Sequence, residues 1–165
     1  SYIICAVIAA PALIKLGVPD YAAHMFIFYY AVLSEVSPPT ALSPFAAAAI
    51  TGGNPYRTTM MSWKYTLPAF VVPFMFVLDP AGLGLLLKGD WSDIALSSVT
   101  AMIGIAALAA GAQNWALRRC NPVERWLLIA AGLLLVYPKP LFDAVGVGLT
   151  FAVLVMQKLR KEKTP

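Results

Sequence analysis

Long apolar runs, separated by short polar turns, make up most of the chain. A helix needs about 20 apolar residues to cross a bilayer, and only some of the runs reach that length. Residues 1–16 are too short and are broken by Pro11, so we expect one arm of a re-entrant hairpin that ends at the turn GVPD. The later runs predict further helices, including a short surface helix at 55–65; their positions are 21–34, 40–51, 55–65, 65–87, 94–117, 126–137 and 141–157.

The segment LSEVSPPTAL separates the predicted helices at 21–34 and 40–51. Neither helix alone spans a bilayer, so we expect one crossing that is unwound near its middle. Non-helical backbone at membrane depth is tolerated only where it is buried in protein or lines a wet cavity. The end of the first half-helix should present carbonyls to a cation, and the start of the second should present amides to an anion. Ser37 or Thr40 is expected to cap the second half-helix.

Glu35 lies inside this predicted crossing. An ionisable residue there costs about 2.5–3.5 kcal/mol on insertion scales and marks a functional site. Two alternatives stay open: its carboxylate contacts an ion, or it hydrogen-bonds across the break and only holds it. His24, the single histidine, is expected to be a hydrogen-bonded packing residue. An intramembrane enzyme that uses Glu35 and His24 lacks a second catalytic partner, so we expect no enzyme.

The composition agrees with a membrane location. Hydrophobic residues make up 60% of the chain and charged residues 12%, and the mean hydropathy is +0.76. Soluble domains are about 45–50% apolar and about 25% charged. The pattern therefore predicts an all-α, polytopic integral membrane protein. The net charge of +4 does not indicate nucleic acid, because the basic residues lie at the ends of apolar runs, where they set topology.

The positions of the basic residues orient the chain, since cytoplasmic loops carry an excess of lysine and arginine. If residues 126–157 reverse direction as a pair of helices, the basic loops and the tail lie on one side, which is then cytoplasmic. If residues 126–157 instead form one broken crossing, the tail moves outside and the bias weakens. We prefer the pair, and the residues on its cytoplasmic side are Arg57, Lys64, Arg118, Arg119, Arg125, Lys158, Arg160, Lys161 and Lys163.

The pattern divides the chain into four parts. Residues 1–62 hold the hairpin arm and the broken helix, and residues 63–117 hold two transmembrane helices. Residues 118–157 form a carboxy-terminal helical pair, and residues 158–165 form a cytoplasmic tail. The apolar run begins at residue 2 without an initiator methionine, so we expect a piece of a longer protein.

The stretch APALIKLGVPDYAAHMFIFYYAVLSEVSPPTALSPFAAAAITGGNPYRT, followed by PAFVVPFMFVLDPAGL, carries a family resemblance. Over roughly residues 1–87 it resembles the carboxy-terminal part of the fused, DctM-like large membrane subunit of tripartite ATP-independent periplasmic (TRAP) transporters. The resemblance implies half of an elevator-type transporter in a bacterial or archaeal cytoplasmic membrane. It implies sodium-coupled uptake of organic anions, often carboxylates, with sodium as the coupling ion and no cofactor.

The resemblance also implies partners and site residues. The partners are an extracytoplasmic solute-binding protein of the TAXI class, the amino-terminal part of the same permease and the lipid bilayer, with no nucleic acid. A partial sodium site, mainly of backbone oxygens, falls on Ser34, Glu35, Val36 and Ser37. Substrate binding falls on Ser37, Pro38, Pro39 and Thr40. The alternative is a non-transporting membrane scaffold or interaction subunit, in which the broken helix only shapes a packing surface.

Overall fold

The computed structural model describes residues 2–160, and their regular structure is helical apart from one isolated bridge between Trp115 and Arg119. This confirms the predicted all-α membrane class. We label two 3₁₀-helices η1 and η2. The elements are α1 Tyr2–Lys15, α2 Asp20–Leu33, α3 Leu42–Thr51, α4 Pro55–Thr66, η1 Leu67–Val71, α5 Val72–Met75, η2 Pro80–Leu86, α6 Trp91–Gln113, α7 Pro122–Leu134 and α8 Pro140–Leu159.

Two helices are long and apolar enough to cross a membrane. They are α6, with a mean hydropathy of 1.9, and α8, with a mean hydropathy of 1.6. A third span is possible if the bent segment from α4 to η2 counts as one crossing. The helices α1 and α3 are apolar but shorter. By length and composition, residues 2–160 therefore contain two candidate spans, or three if the bent segment is one crossing.

The kinked helix expected over residues 65–87 is instead a series of short helices. The axes of Pro55–Met75 and Pro80–Leu86 differ by 118°. Pro68, Pro73 and Pro80 each lack an amide, so the backbone cannot continue one regular hydrogen-bond ladder. Asp79 then starts η2, because its carboxylate accepts a hydrogen bond from the amide of Ala81 at 3.0 Å. Asp79 is thus the N-cap residue of η2.

The hairpin of α1 and α2 forms around small side chains. Ala6 and Ala10 of α1 pack against Ile27 of α2. The helix α1 continues through Pro11, so the expectation that this proline breaks the run is wrong. A proline inside a helix removes one hydrogen bond, and neighbouring helices in a membrane protein tolerate that loss. The turn closes through Gly17, whose φ of 92° is open to glycine at little cost.

The helices α6, α7 and α8 pack closely through glycines. A Cβ at Gly132 of α7 would lie 2.8 Å from the carbonyl oxygen of Gly104 in α6. A Cβ at Gly146 of α8 would lie 3.0 Å from the carbonyl oxygen of Ala131 in α7. Small residues allow membrane helices to approach in this way and to gain dispersion contacts. The core of this half of the chain therefore depends on backbone-to-backbone proximity.

A buried polar cluster joins the start of α7 to the end of α8. The Gln157 amide group donates to Glu124 at 3.0 Å, and the Arg160 guanidinium donates to the same carboxylate at 3.0 Å. The amide of Asn121 also donates to Glu124, at 2.8 Å. Since residue 157 meets residue 124, α7 and α8 run antiparallel. The two helices therefore form the pair that reverses direction, and Arg160 lies on the same side as the basic loop that contains Arg118 and Arg119. The tail residues 161–165 lie outside the described part.

The environment of Glu124 holds its pKa below the ordinary value. Burial acts to raise the pKa, but the hydrogen bonds from Asn121 and Gln157 and the charge of Arg160 together outweigh it. Glu124 lies in the first turn of α7, outside the two candidate spans. Its ionised form is therefore part of what stabilises the hairpin.

A pH dependence of stability follows from this lowered pKa. The contribution of Glu124 is present above its unfolded pKa of about 4.3 and is lost as the pH falls through the lower folded value. We expect the melting temperature of the detergent-solubilised chain to fall as the pH drops below about 4.3. Glu124→Gln should be less stable at neutral pH and should flatten this part of the curve. Glu35→Gln is the matched control, because Glu35 is exposed and makes no side-chain ion pair within residues 2–160. An unchanged pH profile in Glu124→Gln would contradict the assignment.

Candidate functional site

The candidate site is the break between α2 and α3, residues 34–41. The helix α2 ends by tightening its last turn. The amide of Ser34 still donates to the fourth preceding carbonyl, that of Tyr30, at 3.1 Å. The next two amides, of Glu35 and Val36, reach back only three residues, to Val32 and Leu33, at 3.2 Å each. This pattern is typical of a helix end, and it uses carbonyls that would otherwise be free.

The hydroxyl groups of the break also bond to α2. Ser34 donates to the carbonyl of Ala31 at 2.7 Å, and Ser37 donates to that of Leu33 at 3.1 Å. Thr40 donates to the carbonyl of Ser34, across the break. All three hydroxyl groups therefore stabilise the end of α2, and their oxygen lone pairs stay available.

The prediction that Ser37 or Thr40 caps α3 is wrong. The N-cap of α3 is Ala41, which is buried, has a left-handed backbone (φ 43°, ψ 38°) and provides no side-chain cap. Ser37 follows Leu33 by four residues, so its hydroxyl lies over the Leu33 carbonyl and away from the start of α3. The N-terminus of α3 therefore begins without the serine or threonine oxygen that helix starts usually have.

The start of α3 offers fewer free amides than the sequence suggests. The Ser43 amide donates to the carbonyl of Glu35 at 3.2 Å, and Pro44 has no amide proton. The bond between Ser43 and Glu35 ties the start of α3 to the end of α2 through the main chain. An anion at this position would therefore meet few backbone donors.

In contrast to the few free amides, the break has several free carbonyl groups. Among residues 2–160, no donor reaches the carbonyls of Val36, Pro38 or Pro39. The two prolines, which are joined by a cis peptide bond, and the neighbouring Thr40 are exposed, whereas Val36 is half-buried. The break thus presents an accessible group of backbone oxygens, which are hard ligands that suit a small cation.

The two alternatives for Glu35 can now be compared with the geometry. Its side chain is exposed and makes no hydrogen bond or ion pair within the described residues. The carboxylate therefore does not hold the break; the carbonyl of Glu35 does, through Ser43. This leaves the carboxylate accessible beside the free carbonyls.

Aromatic residues fix the position of the first half-helix. The Tyr30 hydroxyl donates to the carbonyl of Phe70 in η1 at 2.5 Å. Phe26 meets Phe74 edge to face, with ring centroids 5.4 Å apart. Phe26 and Tyr30 therefore pack α2 against η1 and α5. The partners Phe70 and Phe74 were not foreseen, since no local pattern connects residues 40 or more apart.

An apolar cleft of 300 Å³ between α1 and α2 leads to the break. Its lining includes Cys5 and Ala9 of α1, Phe26 and Tyr30 of α2, and Ser34 at its end. Ser34, the first residue of the break, thus lies at the polar end of an otherwise apolar surface. That arrangement leaves the break open to a ligand or to another part of a larger protein.

His24 is far from the break. Its ring bonds to the Tyr2 hydroxyl at 2.8 Å and lies 3.5 Å from the Asp20 carboxylate. His24 and Glu35 are separated by most of α2, roughly 16 Å along the helix axis, so they do not form a joint site. This agrees with the packing role predicted for His24. Within residues 2–160 no group of three histidine, cysteine or acidic side chains could hold a metal ion.

A known family model matches the first part of the chain. The family model described as "Tripartite ATP-independent periplasmic transporter, DctM component" matches residues 1–81. The matched region contains the α1–α2 hairpin, the break and α3, and it ends at the start of η2. No curated protein and no solved structure gives a match to the chain.

Proposed function

We propose that this chain, whose residues 1–81 match the DctM component family of TRAP transporters, is a permease component of the inner membrane and takes part in sodium-coupled uptake of organic anions. Carboxylates are the proposed substrates, and we propose that an extracytoplasmic binding protein of the TAXI class delivers them to the permease. The observation that carries the proposal is the break itself: two half-helices in the matched region, with exposed carbonyl oxygens between them.

The proposed sodium ligands follow from the contacts of the break. The carbonyl of Val36 lacks a donor, and the hydroxyl oxygens of Ser34 and Ser37 keep lone pairs after they donate to α2. Glu35 adds an accessible negative charge next to them. Unwound carbonyls and the C-terminal ends of half-helices coordinate sodium in many transporters with discontinuous helices. The ion would also be stabilised by the negative end of the α2 dipole.

The proposed substrate contacts are the two prolines and the residues on either side of them in the sequence. Ser37, Pro38, Pro39 and Thr40 are expected to face the organic anion, with the bound sodium compensating part of its charge. The shortage of amides at the start of α3 makes this cooperation between ion and substrate important, because the backbone alone supplies few donors. We propose that another segment of the permease completes both sites.

The test is uptake by the complete permease that carries this chain, reconstituted in liposomes with its binding protein. We expect uptake to require an inward sodium gradient, which a potassium gradient cannot replace. Ser37→Leu should lower sodium-driven uptake at least tenfold, because a leucine side chain covers the free oxygens and removes one hydroxyl. Expression and melting temperature should stay close to wild type, since Ser37 is only half-buried.

Ser92→Leu is the matched control, because Ser92 is an exposed serine at the start of α6 and lies outside the break. Its uptake should equal that of the wild type. If Ser37→Leu retained uptake with unchanged sodium dependence, the break would be only a packing surface, and the scaffold alternative would be preferred.

A further inference from the structure

A second cavity lies away from the break, between the α4–η1 segment and the α6–α7 pair. Its volume is 440 Å³, and its walls are mostly apolar. Leu67 and Val71 line one side, and Ile129 and Leu133 line the other. Leu67 and Leu133 are 43% and 53% exposed, so the cavity opens to the surroundings of the protein along this side.

Two cations lie at one end of this apolar cavity. Lys64, in the last turn of α4, and Arg125, in the first turn of α7, are the charged residues of its lining. Arg125 donates from Nε to the carbonyl of Gly111 at 3.1 Å, which orients the guanidinium and leaves its two terminal nitrogens available. Within residues 2–160 neither Lys64 nor Arg125 pairs with a carboxylate. The cavity therefore has two uncompensated positive charges above an apolar floor.

Tryptophans indicate the depth of the charged end. Trp63 precedes Lys64 and Trp126 follows Arg125, and the two indoles are 38% and 69% exposed. Tryptophan is enriched where membranes meet water. The two cations are therefore at headgroup level, and the apolar part of the cavity extends from there along α6, a candidate span.

We propose that this cavity binds an anionic phospholipid from the leaflet on the basic side of the protein. The phosphate is held between Lys64 and Arg125, and one acyl chain lies against Val71, Ile129 and Leu133. Basic pockets between transmembrane helices recognise anionic headgroups by this combination of charge and depth. A small hydrophilic anion fits less well, because the remaining walls offer it no polar partner. The site is separate from the break and does not depend on the proposed transport function.

The test is lipid binding to the purified full chain, measured by native mass spectrometry in detergent. The probes are phosphatidylglycerol and phosphatidylcholine with the same acyl chains. We expect phosphatidylglycerol to bind about tenfold more tightly, as two cations near the membrane surface predict. Lys64→Gln combined with Arg125→Gln should abolish this preference. Arg57→Gln combined with Lys158→Gln is the matched control, because both residues are basic, exposed and outside the cavity lining, and it should keep the preference.

A second variant tests the apolar part of the cavity. Ala112→Phe places a ring in the lining and should weaken phosphatidylglycerol binding while Lys64 and Arg125 remain. The proposal would be overturned by equal binding of the two lipids, or by an unchanged preference in the Lys64 and Arg125 double variant. Displacement of the lipid by millimolar inorganic phosphate would also overturn it, since that result indicates a site for a free anion.

Discussion

Gly82→Ala is expected to destabilise the chain more than other substitutions of comparable size. A Cβ at Gly82 would collide with the carbonyl oxygen of Met75, and it would lie 2.8 Å from the carbonyl carbon of Met75 and 3.1 Å from the Cα of Phe76. These are backbone atoms that cannot rotate away, so the 118° bend between α5 and η2 must open. We expect a loss of about 3 kcal/mol or more, at the upper end of overpacking effects. The bent segment also carries Phe70 and Phe74, so the contacts that position α2 should weaken with it.

The measurement is the melting temperature of the detergent-solubilised chain, with Gly148→Ala as the matched control. A Cβ at Gly148, within α8, meets nothing within 4 Å, so alanine should be neutral there or stabilise by up to about 1 kcal/mol. Equal melting temperatures for Gly82→Ala and Gly148→Ala would show that the bend is not closely packed in solution.

Gln157→Leu is expected to have the second largest effect. Gln157 is fully buried, and its carbonyl oxygen accepts hydrogen bonds from the amides of Leu117 and Arg118 at 3.2 and 3.3 Å. Its amide group donates to the Glu124 carboxylate. Leucine fills a similar volume but makes none of these bonds, and each buried polar group that loses its partner costs about 1–3 kcal/mol. We expect a total loss of about 3 kcal/mol or more, which corresponds to about 6–12 °C in melting temperature.

The control for this prediction is Gln113→Leu at the end of α6. Gln113 is half-buried, and its side chain makes no hydrogen bond within residues 2–160. The same chemical change should leave the melting temperature within a few degrees of wild type there. If both leucine variants melted alike, the cluster around Glu124 would contribute little, and the α7–α8 hairpin would be stabilised by packing alone.

Local features of this chain could be predicted from the sequence, because they depend on neighbouring residues. The positions of α2, α3, α4 and α6 follow from apolar runs and turn residues. The break follows from Pro38 and Pro39, since a helix cannot continue without their amides. Asn54 and Pro55 mark the start of α4, and the Asn54 side chain does accept from the amide of Arg57 at 3.0 Å.

Features that join distant residues could not be predicted. Gln157 was placed at the end of the predicted helix 141–157 with no partner assigned, yet it is fully buried against Glu124, 33 residues earlier. Tyr30 gave no sign of its bond to Phe70, and Lys64 and Arg125 were read only as topology signals. The cap of α3 was mispredicted for a related reason. The hydroxyl groups of Ser37 and Thr40 lie between two helix ends, and both donate to carbonyls at the end of α2.

The most direct test of a sodium site at the break is equilibrium binding of ²²Na⁺ to the complete purified permease, without any substrate or gradient. We predict saturable binding to the wild type that excess potassium does not displace, and loss of most of that binding in Ser37→Leu but not in Ser92→Leu. Saturable ²²Na⁺ binding of equal strength in Ser37→Leu and wild type would contradict the account, because the ion would then be held elsewhere in the permease.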